Sequence, residues 1–294
     1  MTLAELVPSP ETLVDRLAEN GYLADEGLAT ALFCAIRLPQ PLLLEGEAGV
    51  GKTQAAKSLA EMLDTPLIRL QCFEGIDASE ALYEWNYPRQ LLSIRLAEAE
   101  GAALDEASLF DRDYLIERPL LQAIEHEGPN PAVLLIDEVD RADEEFEAFL
   151  FEMLAECTVT VPEIGTIVAK QPPIVILTSN RTRDLHDALK RRCLYHWIEY
   201  PDLEHATAIV RARVPEASSQ LAEDVAGAVQ RIRSLDVQKP PGVAEAIDWV
   251  HASALLGLTR LDEQGVERTL SAVLKYREDQ ELAQAEGLSW VASG

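Results

Sequence analysis

One eight-residue segment constrains the fold of this chain more than any other. It follows the pattern G-x-x-x-x-G-K-S/T and consists of Gly46, Glu47, Ala48, Gly49, Val50, Gly51, Lys52 and Thr53. An apolar run at residues 41–45 precedes it, and a helical pattern at residues 53–63 follows it. Glycines let the backbone turn so that successive N–H groups point inward, and the N-terminus of the following helix favours an anion. The segment therefore predicts a phosphate-binding loop, or P-loop, between a buried strand and a helix.

Two side chains of this loop have specific predicted roles. Lys52 is predicted to contact the β- and γ-phosphates of a bound nucleotide, and the Thr53 hydroxyl is predicted to ligate Mg²⁺. The alternative is a glycine-rich turn that binds nothing. The strand before the loop, the helix after it and the four filled motif positions favour ATP and Mg²⁺ as ligands.

Apolar runs alternate with helical patterns up to Pro201, and only helical patterns follow it. Strands are predicted at residues 41–45, 66–71, 132–136, 174–178 and 194–200. Short crossovers between them predict an α/β fold with a mostly parallel five-stranded sheet that is flanked by helices. We therefore expect a nucleotide-binding core at residues 1–201, with a mixed polar insertion at 74–115, and a small all-helical lid domain at 202–294.

Two acidic residues, Asp137 and Glu138, directly follow the most apolar of the predicted strands. Ligands of such sheets bind at the carboxyl ends of the strands. Asp137 is predicted to hold Mg²⁺ directly or through water, and Glu138 to polarise the attacking water as general base. A plain solvated strand end is the alternative, but adjacent carboxylates at the mouth of a buried strand are costly without a cation or hydrogen bonds.

Further polar signals follow the strand at 174–178. Asn180 is predicted to hydrogen-bond the γ-phosphate or the attacking water, a sensor role, although Asn after a strand is commonly a turn residue. A basic cluster then contains Arg191 and Arg192. One of them is a candidate arginine finger for a neighbouring subunit, and the alternative is a basic surface at a helix C-terminus.

Composition restricts the partners and the compartment. The chain has 25 Lys and Arg against 51 Asp and Glu, a net charge of −26, so nucleic acid is a poor candidate partner. The four cysteines form no C-x-x-C pair and do not cluster with histidine, so zinc is not predicted. No signal segment and no apolar stretch of membrane-spanning length is evident, so we expect a cytoplasmic protein with reduced thiols.

These motifs, in this order, resemble those of the AAA+ ATPases. The stretch from Asp137 to Ala142 is similar to the D-E-I/V-N/D-R-A block of the MoxR family, and the hairpin predicted at 158–168 resembles that family's pre-sensor element. Residues 43–53, 81–90 and 192–197 resemble MoxR-type ATPases found beside aerobic carbon monoxide dehydrogenase genes.

The resemblance implies a homo-hexameric ring with ATP bound between subunits. It also implies a partner with a von Willebrand factor A domain and a chaperone role in maturing a client metalloenzyme or complex. It carries phosphate and Mg²⁺ contacts to Lys52 and Thr53, Mg²⁺ binding to Asp137, the general base to Glu138 and sensor 1 to Asn180. It places the arginine finger on Arg191, with Arg192 as the alternative.

One departure from the family keeps a second function open. The family often has an Arg, called sensor 2, in a Ser-Pro-Arg step of the lid, but residues 239–245 here contain none. Lys239 is the candidate substitute, although an ammonium does not reproduce the forked donors of a guanidinium. An ATP-gated binding scaffold with little turnover is therefore the alternative to an ATPase. A weaker hypothesis is that Gln71 holds Glu138 inactive until a ligand or partner binds. The aromatic segment 83–88 has two alternatives, a partner or pore contact and ordinary packing of the insertion against the core.

Overall fold

A computed structural model of the protein describes residues 3–38, 40–101 and 106–292. Its strands are, in chain order, β1 (Leu42–Glu45), β2 (Leu67–Gln71), β3 (Tyr83–Trp85), β4 (Leu115–Glu117), β5 (Val133–Asp137), β6 (Thr158–Val161), β7 (Gly165–Val168), β8 (Ile174–Ser179) and β9 (Leu194–Trp197). Its helices are α1 (Leu3–Leu6), α2 (Pro10–Glu19), α3 (Glu26–Arg37), α4 (Lys52–Met62), α5 (Ala78–Ala81), α6 (Tyr87–Glu100), α7 (Pro119–Glu125), α8 (Glu144–Glu156), α9 (Asp187–Lys190), α10 (Leu203–Arg213), α11 (Ser219–Arg233), α12 (Val243–Leu255), α13 (Glu263–Val273), α14 (Arg277–Glu286) and α15 (Leu288–Ala292).

The predicted five-stranded parallel sheet is confirmed. Its strand order is β2-β5-β8-β1-β9, and the pairs β2–β5, β5–β8 and β8–β1 are parallel. Every residue of β5 and of β8 is buried, as expected of central strands covered on both faces. The carboxyl ends of β5 and β8 therefore lie side by side at one edge of the sheet.

The predicted insertion at 74–115 contains regular structure of its own. Its strand β3 forms an antiparallel pair with β4, and α7 begins at Pro119. The strand β3 ends at the buried Trp85, whose ring contacts the Phe110 ring edge to face at 5.3 Å. Residues 102–105 of the predicted insertion lie outside the described residues.

Two smaller features bear on the predictions for this region. The predicted hairpin at 158–168 is confirmed, since β6 pairs with β7 in an antiparallel manner. Within the aromatic segment 83–88, Trp85 packs in the core, whereas Tyr87 is exposed. Core packing therefore explains Trp85 but does not explain Tyr87.

The structure divides into two compact units. The sheet unit comprises Met1–Leu13, Glu26–Glu45 and Leu59–His196, and the helical unit comprises Val14–Asp25, Gly46–Ser58 and Trp197–Gly294. The core of the helical unit surrounds the buried Trp249, whose Nε1 donates to Thr269 Oγ1 at 2.6 Å. The domain boundary predicted at residue 201 stays a prediction. Among the described residues, no helix has both the length and the apolar character needed to cross a membrane.

Candidate functional site

The P-loop motif belongs to the helical unit and forms a tight turn ahead of α4. Gly49 and Gly51 have φ of 80° and 99°, a backbone conformation that residues with a Cβ rarely adopt. Lys52 is buried, and its Nζ donates to the carbonyl oxygens of Gly46 and Glu47 at 2.7 Å each. The ammonium group is thus held within the loop itself, at the position from which the motif predicts phosphate binding.

The first turn of α12 packs against this loop. Val243 N donates to the Gly49 carbonyl at 3.1 Å, and Gly242 N donates to Glu245 Oε2 at 2.9 Å. A Cβ on Gly49 would lie 2.9 Å from the same Glu245 oxygen. The side chain that faces the loop from α12 is therefore a carboxylate, and the candidate substitute Lys239 is exposed.

A cavity of about 410 Å³ lies beside the same turn of α12, within the helical unit. Its lining includes Tyr200, Val229, Arg233 and Val243. The Arg233 guanidinium stacks on the Tyr200 ring, 3.2 Å from its centroid. Burial lowers the pKa of Arg233 and raises the pKa of Tyr200. The cavity thus combines apolar walls with a partly desolvated cation.

In the sheet unit, Asp137 ends β5 as a buried carboxylate with both oxygens bound. Oδ1 accepts from Thr178 Oγ1 at 2.6 Å. Oδ2 accepts from Arg69 Nε at 3.0 Å and Arg69 Nη2 at 2.6 Å. Arg69 lies on the edge strand β2, and its side chain is 47% exposed. A half-exposed guanidinium therefore compensates the charge of the carboxylate that the sequence assigns to Mg²⁺.

Glu138 leaves the strand in the left-handed conformation, with φ of 54°. Its N–H donates to Thr178 Oγ1 at 2.9 Å, and its Oε2 lies 3.1 Å from Arg141 Nη1. The hypothesis that Gln71 holds Glu138 does not match these contacts, because the Gln71 amide instead contacts the Arg69 guanidinium and the Cys72 carbonyl. The single hydroxyl of Thr178 links Asp137 and Glu138.

Asn180 follows β8 directly and is half-buried. Its N–H donates to Asp140 Oδ2 at 3.2 Å. Asp140 lies in the 3₁₀ turn Val139–Arg141, immediately after Glu138. Asp137, Glu138 and Asn180 thus lie together at the carboxyl ends of β5 and β8, and their roles as metal ligand, general base and sensor stay predictions.

Residues 41–193, which are more than half of the chain, match the AAA domain family (dynein-related subfamily). The chain belongs to the AAA family. Family membership supports a nucleotide-dependent activity, and AAA proteins commonly bind Mg²⁺ and form oligomers.

Two relatives and one solved structure extend this comparison. An uncharacterized protein of Staphylococcus saprophyticus is 24% identical over 216 residues, which are 71% of this chain and 73% of that protein. An uncharacterized protein of Staphylococcus aureus is 27% identical over 180 residues, covering 59% of this chain and 60% of its own length. A mutant of RuvB from Thermotoga maritima has a TM-score of 0.50 at 15% identity, covers 90% of this chain and 71% of its own, and shows the fold alone.

The two candidate finger residues of this AAA protein follow α9 in the sheet unit and differ in their surroundings. The Arg192 guanidinium lies 4.1 Å from the centroid of the Phe151 ring. Arg191 is exposed, and within the described part of the chain its guanidinium has no partner. Arg191 is therefore the more available of the two for a group outside this chain.

Glu45 is one of the buried carboxylates in the sheet unit of this AAA protein that sequence reasoning missed. Glu45 ends β1 and is buried, and it accepts from Ser179 Oγ at 3.2 Å and from Tyr195 OH at 3.0 Å. Partial burial and then this hydrogen bond raise the pKa of Tyr195. In the sequence, Glu45 could have been noticed as an acidic residue at the end of an apolar strand, directly before the P-loop. In the structure it anchors the chain at Ser179, where the loop after β8 begins.

Proposed function

We propose that this AAA protein hydrolyses ATP in a Mg²⁺-dependent reaction and uses it, as an oligomeric ring, to remodel a partner. The observation that carries the proposal is the arrangement at the ends of β5 and β8. There the Thr178 hydroxyl joins Asp137 to Glu138, and Asp140 joins Asn180 to the same segment. With the P-loop, these residues supply the groups that phosphoryl transfer to water requires.

Each of the two candidate ligands has the chemistry that a magnesium ion prefers. Asp137 of the sheet unit offers a carboxylate and Thr53 of the helical unit a hydroxyl, and Mg²⁺ prefers hard oxygen ligands. When bound, the ion would supply positive charge that offsets the negative charge of the phosphates. Lys52 would exchange its bonds to the Gly46 and Glu47 carbonyls for bonds to phosphate oxygens. The N–H groups of the loop would complete the cradle.

Glu138 would act on the attacking water. Its carboxylate takes the proton of a water molecule that the Asn180 amide orients, and the water oxygen bonds to the γ-phosphorus. The bond from that phosphorus to the bridging oxygen breaks, and ADP leaves with the electron pair. Because Oε2 of Glu138 is 3.1 Å from Arg141 Nη1, that ion pair must open or stretch for the carboxylate to accept the proton.

The cavity beside α12 is the proposed site of the adenine ring. Its apolar walls and the Arg233 guanidinium, stacked on Tyr200, suit a flat heteroaromatic ring. All of its lining residues belong to the helical unit, which also contains the P-loop. Base and phosphates of one nucleotide would then be bound by the same unit.

We extend the proposal to the MoxR family and its biology. The support is the D-E-V-D-R-A stretch that begins at Asp137, the hairpin of β6 and β7, and the aromatic segment 83–88. On this reading the ring is a homo-hexamer that acts with a von Willebrand factor A domain protein. Its task is to mature a client metalloenzyme or complex in the cytoplasm.

A second candidate function is an ATP-gated binding scaffold with little turnover. Glu245 favours it, because a carboxylate faces Gly49 of the P-loop where the family often supplies a cation from the lid. In a scaffold, nucleotide would control assembly with a partner, and hydrolysis would be incidental. Turnover that stays very slow in the presence of a partner would support the scaffold.

The contact between Arg69 and Asp137 makes a prediction about Mg²⁺. In Arg69→Met the buried Asp137 loses its guanidinium partner, so we expect a lower melting temperature without ligand. A bound cation would restore the charge balance, so ADP with Mg²⁺ should raise the melting temperature more in Arg69→Met than in the wild type. Differential scanning fluorimetry over a Mg²⁺ titration measures both effects.

The matched control is Arg95→Met, which removes an exposed ion pair with Glu98. It should change neither the melting temperature nor its dependence on Mg²⁺. An Mg²⁺ response of Arg69→Met equal to that of the wild type would contradict the assignment of Asp137 to the metal.

The ring and its finger are tested by mixing subunits. Arg191→Ala is expected to lower turnover about 1,000-fold, the range known for arginine fingers, while Arg192→Ala keeps most of the activity. If Arg191 acts on the neighbour's nucleotide, mixing inactive Arg191→Ala with inactive Glu138→Gln subunits should restore part of the turnover. Specific activity of the wild type should rise with protein concentration in step with assembly measured by mass.

Either of two results would contradict this arrangement. Turnover independent of concentration would argue against a site completed by a second subunit. Wild-type turnover in both arginine variants would remove the finger from these positions.

A further inference from the structure

We propose that Asp140 is a positioning residue, whose buried carboxylate fixes the loop carrying Asn180 relative to Glu138. Asp140 is 2% exposed. Its Oδ2 accepts from Asn180 N at 3.2 Å, from Thr182 N at 2.8 Å and from Thr182 Oγ1 at 2.7 Å. One carboxylate oxygen thus binds the backbone on both sides of Arg181. The kinetic consequence of this contact rests on the ATPase function proposed above.

The loop after β8 depends on such contacts for its shape. Between Ser179 and Asp187 the chain forms neither helix nor strand, and Arg181 has φ of 55°. A non-glycine residue in the left-handed region persists only where its surroundings hold it. Asp140 is placed to do this, because its bonds to residues 180 and 182 enclose the strained position.

A second buried carboxylate anchors the far end of the same loop. Glu147 on α8 accepts from His186 N at 2.8 Å and forms an ion pair with Arg183. Both anchors follow Glu138 in the chain, so the segment after β5 holds the loop after β8 at two places. Asp140 is the anchor that binds Asn180 itself.

The two segments are therefore linked in both directions. Thr178 of β8 binds Asp137 and Glu138, and Asp140 binds Asn180 and Thr182. These hydrogen bonds set the distance between the Glu138 carboxylate, which removes a proton from water, and the Asn180 amide, which orients the same water. Misplacement of such groups by about 1 Å can cost about 100-fold in rate.

The chemistry of the contact predicts which substitution preserves it. Asp140 Oδ1 is buried and has no hydrogen-bond partner among the described residues. In Asp140→Asn the amide nitrogen could take the place of Oδ1 without breaking a hydrogen bond, and the amide oxygen could keep all three bonds to residues 180 and 182. Asp140→Asn should therefore retain the loop, whereas Asp140→Ala removes the acceptor and leaves buried N–H groups without it.

The first test is amide hydrogen exchange by NMR on the nucleotide-free protein. In Asp140→Ala the amides of Asn180 and Thr182 should exchange at least about tenfold faster than in the wild type, and Asp140→Asn should restore their protection. Thr182→Val, which removes one of the three bonds, should give a smaller effect in the same direction at residue 180. Asp143→Ala is the control, since it removes the cap on Phe146 N at 2.9 Å and should leave these two amides unchanged.

The second test separates positioning from general destabilisation. Asp140→Ala should lower kcat about 10- to 100-fold with KM for ATP nearly unchanged, and Asp140→Asn should recover most of kcat. In an Asn180→Ala background the same substitution should cost little more, because Asp140 acts through Asn180. Asp143→Ala should lower the melting temperature without lowering kcat.

Two results would overturn the inference. One is unchanged exchange of the amides of Asn180 and Thr182 in Asp140→Ala. The other is an equal loss of kcat in the wild-type and Asn180→Ala backgrounds. A wild-type protein without ATP turnover would contradict the proposed function instead, and the exchange experiment would still decide whether Asp140 holds the loop.

Discussion

Replacing Glu138 with glutamine is expected to lower ATP turnover at least about 100-fold, because an amide cannot take the proton of the attacking water. Nucleotide binding should persist. The backbone N–H of Glu138 would still donate to Thr178, and Asp137 would keep its contacts with Thr178 and Arg69. The side chain of residue 138 would lose only its charge and its ion pair with Arg141. Steady-state phosphate release and equilibrium binding of a fluorescent ATP analogue measure the two quantities separately.

The control for this experiment is Glu145→Gln. Glu145 lies exposed in the first turn of α8, a few residues further along the chain. Its substitution removes the same charge and should leave turnover within about twofold, since exposed charges contribute little to a distant site. Turnover of Glu138→Gln close to that of the wild type would show that another group takes the proton. Turnover absent in both the wild type and the variant, with binding retained, would favour the scaffold.

The sequence was sufficient to predict the sheet and the edge at which polar residues meet. The apolar runs that became β5 and β8 are long enough to be buried strands, and a parallel arrangement brings their carboxyl ends together. The location of Asp137 and Asn180 at the carboxyl ends of these strands could therefore be predicted from their positions after the two runs. The short strands β3 and β4 could not be found in this way. Each has three residues, too few for an alternating pattern in the sequence, and β3 is defined by its antiparallel pairing with β4.

The contacts between side chains could not be predicted, because they depend on direction and reach. Gln71 lies opposite Asp137 in the register of β2 and β5, so Glu138 falls beyond the paired residues and turns away with a positive φ. Arg69 is opposite Leu135, yet its long side chain extends to the Asp137 carboxylate. In the sequence, Asp140 was recognised only as part of the block that resembles the MoxR family. Its contact with Asn180 joins residues that are 40 positions apart in the chain, so the sequence did not indicate it. Predicting such contacts requires the backbone conformation of the turn after β5, which the sequence pattern does not provide.

The second large effect is expected for Lys52→Met, which should weaken ATP and ADP binding by about 100-fold or more. Hydrogen bonds to a charged group contribute about 1.5–3 kcal/mol, and Lys52 is predicted to make more than one such bond to the phosphates. Methionine keeps the buried stem and removes the ammonium, so the loop loses the donor to the Gly46 and Glu47 carbonyls. Isothermal titration calorimetry with ADP measures the affinity without turnover.

Lys57→Met is the matched control, because Lys57 lies on the same helix, α4, and is exposed. It should bind nucleotide as the wild type does. A melting temperature of Lys52→Met close to that of Lys57→Met would attribute the lost affinity to the missing ammonium rather than to unfolding of the loop. Wild-type affinity in Lys52→Met would instead mean that the loop does not bind the phosphates through this residue. The carboxylate of Glu245 on α12 increases the expected loss of affinity, since without the ammonium a negative charge beside Gly49 would face the anionic ligand.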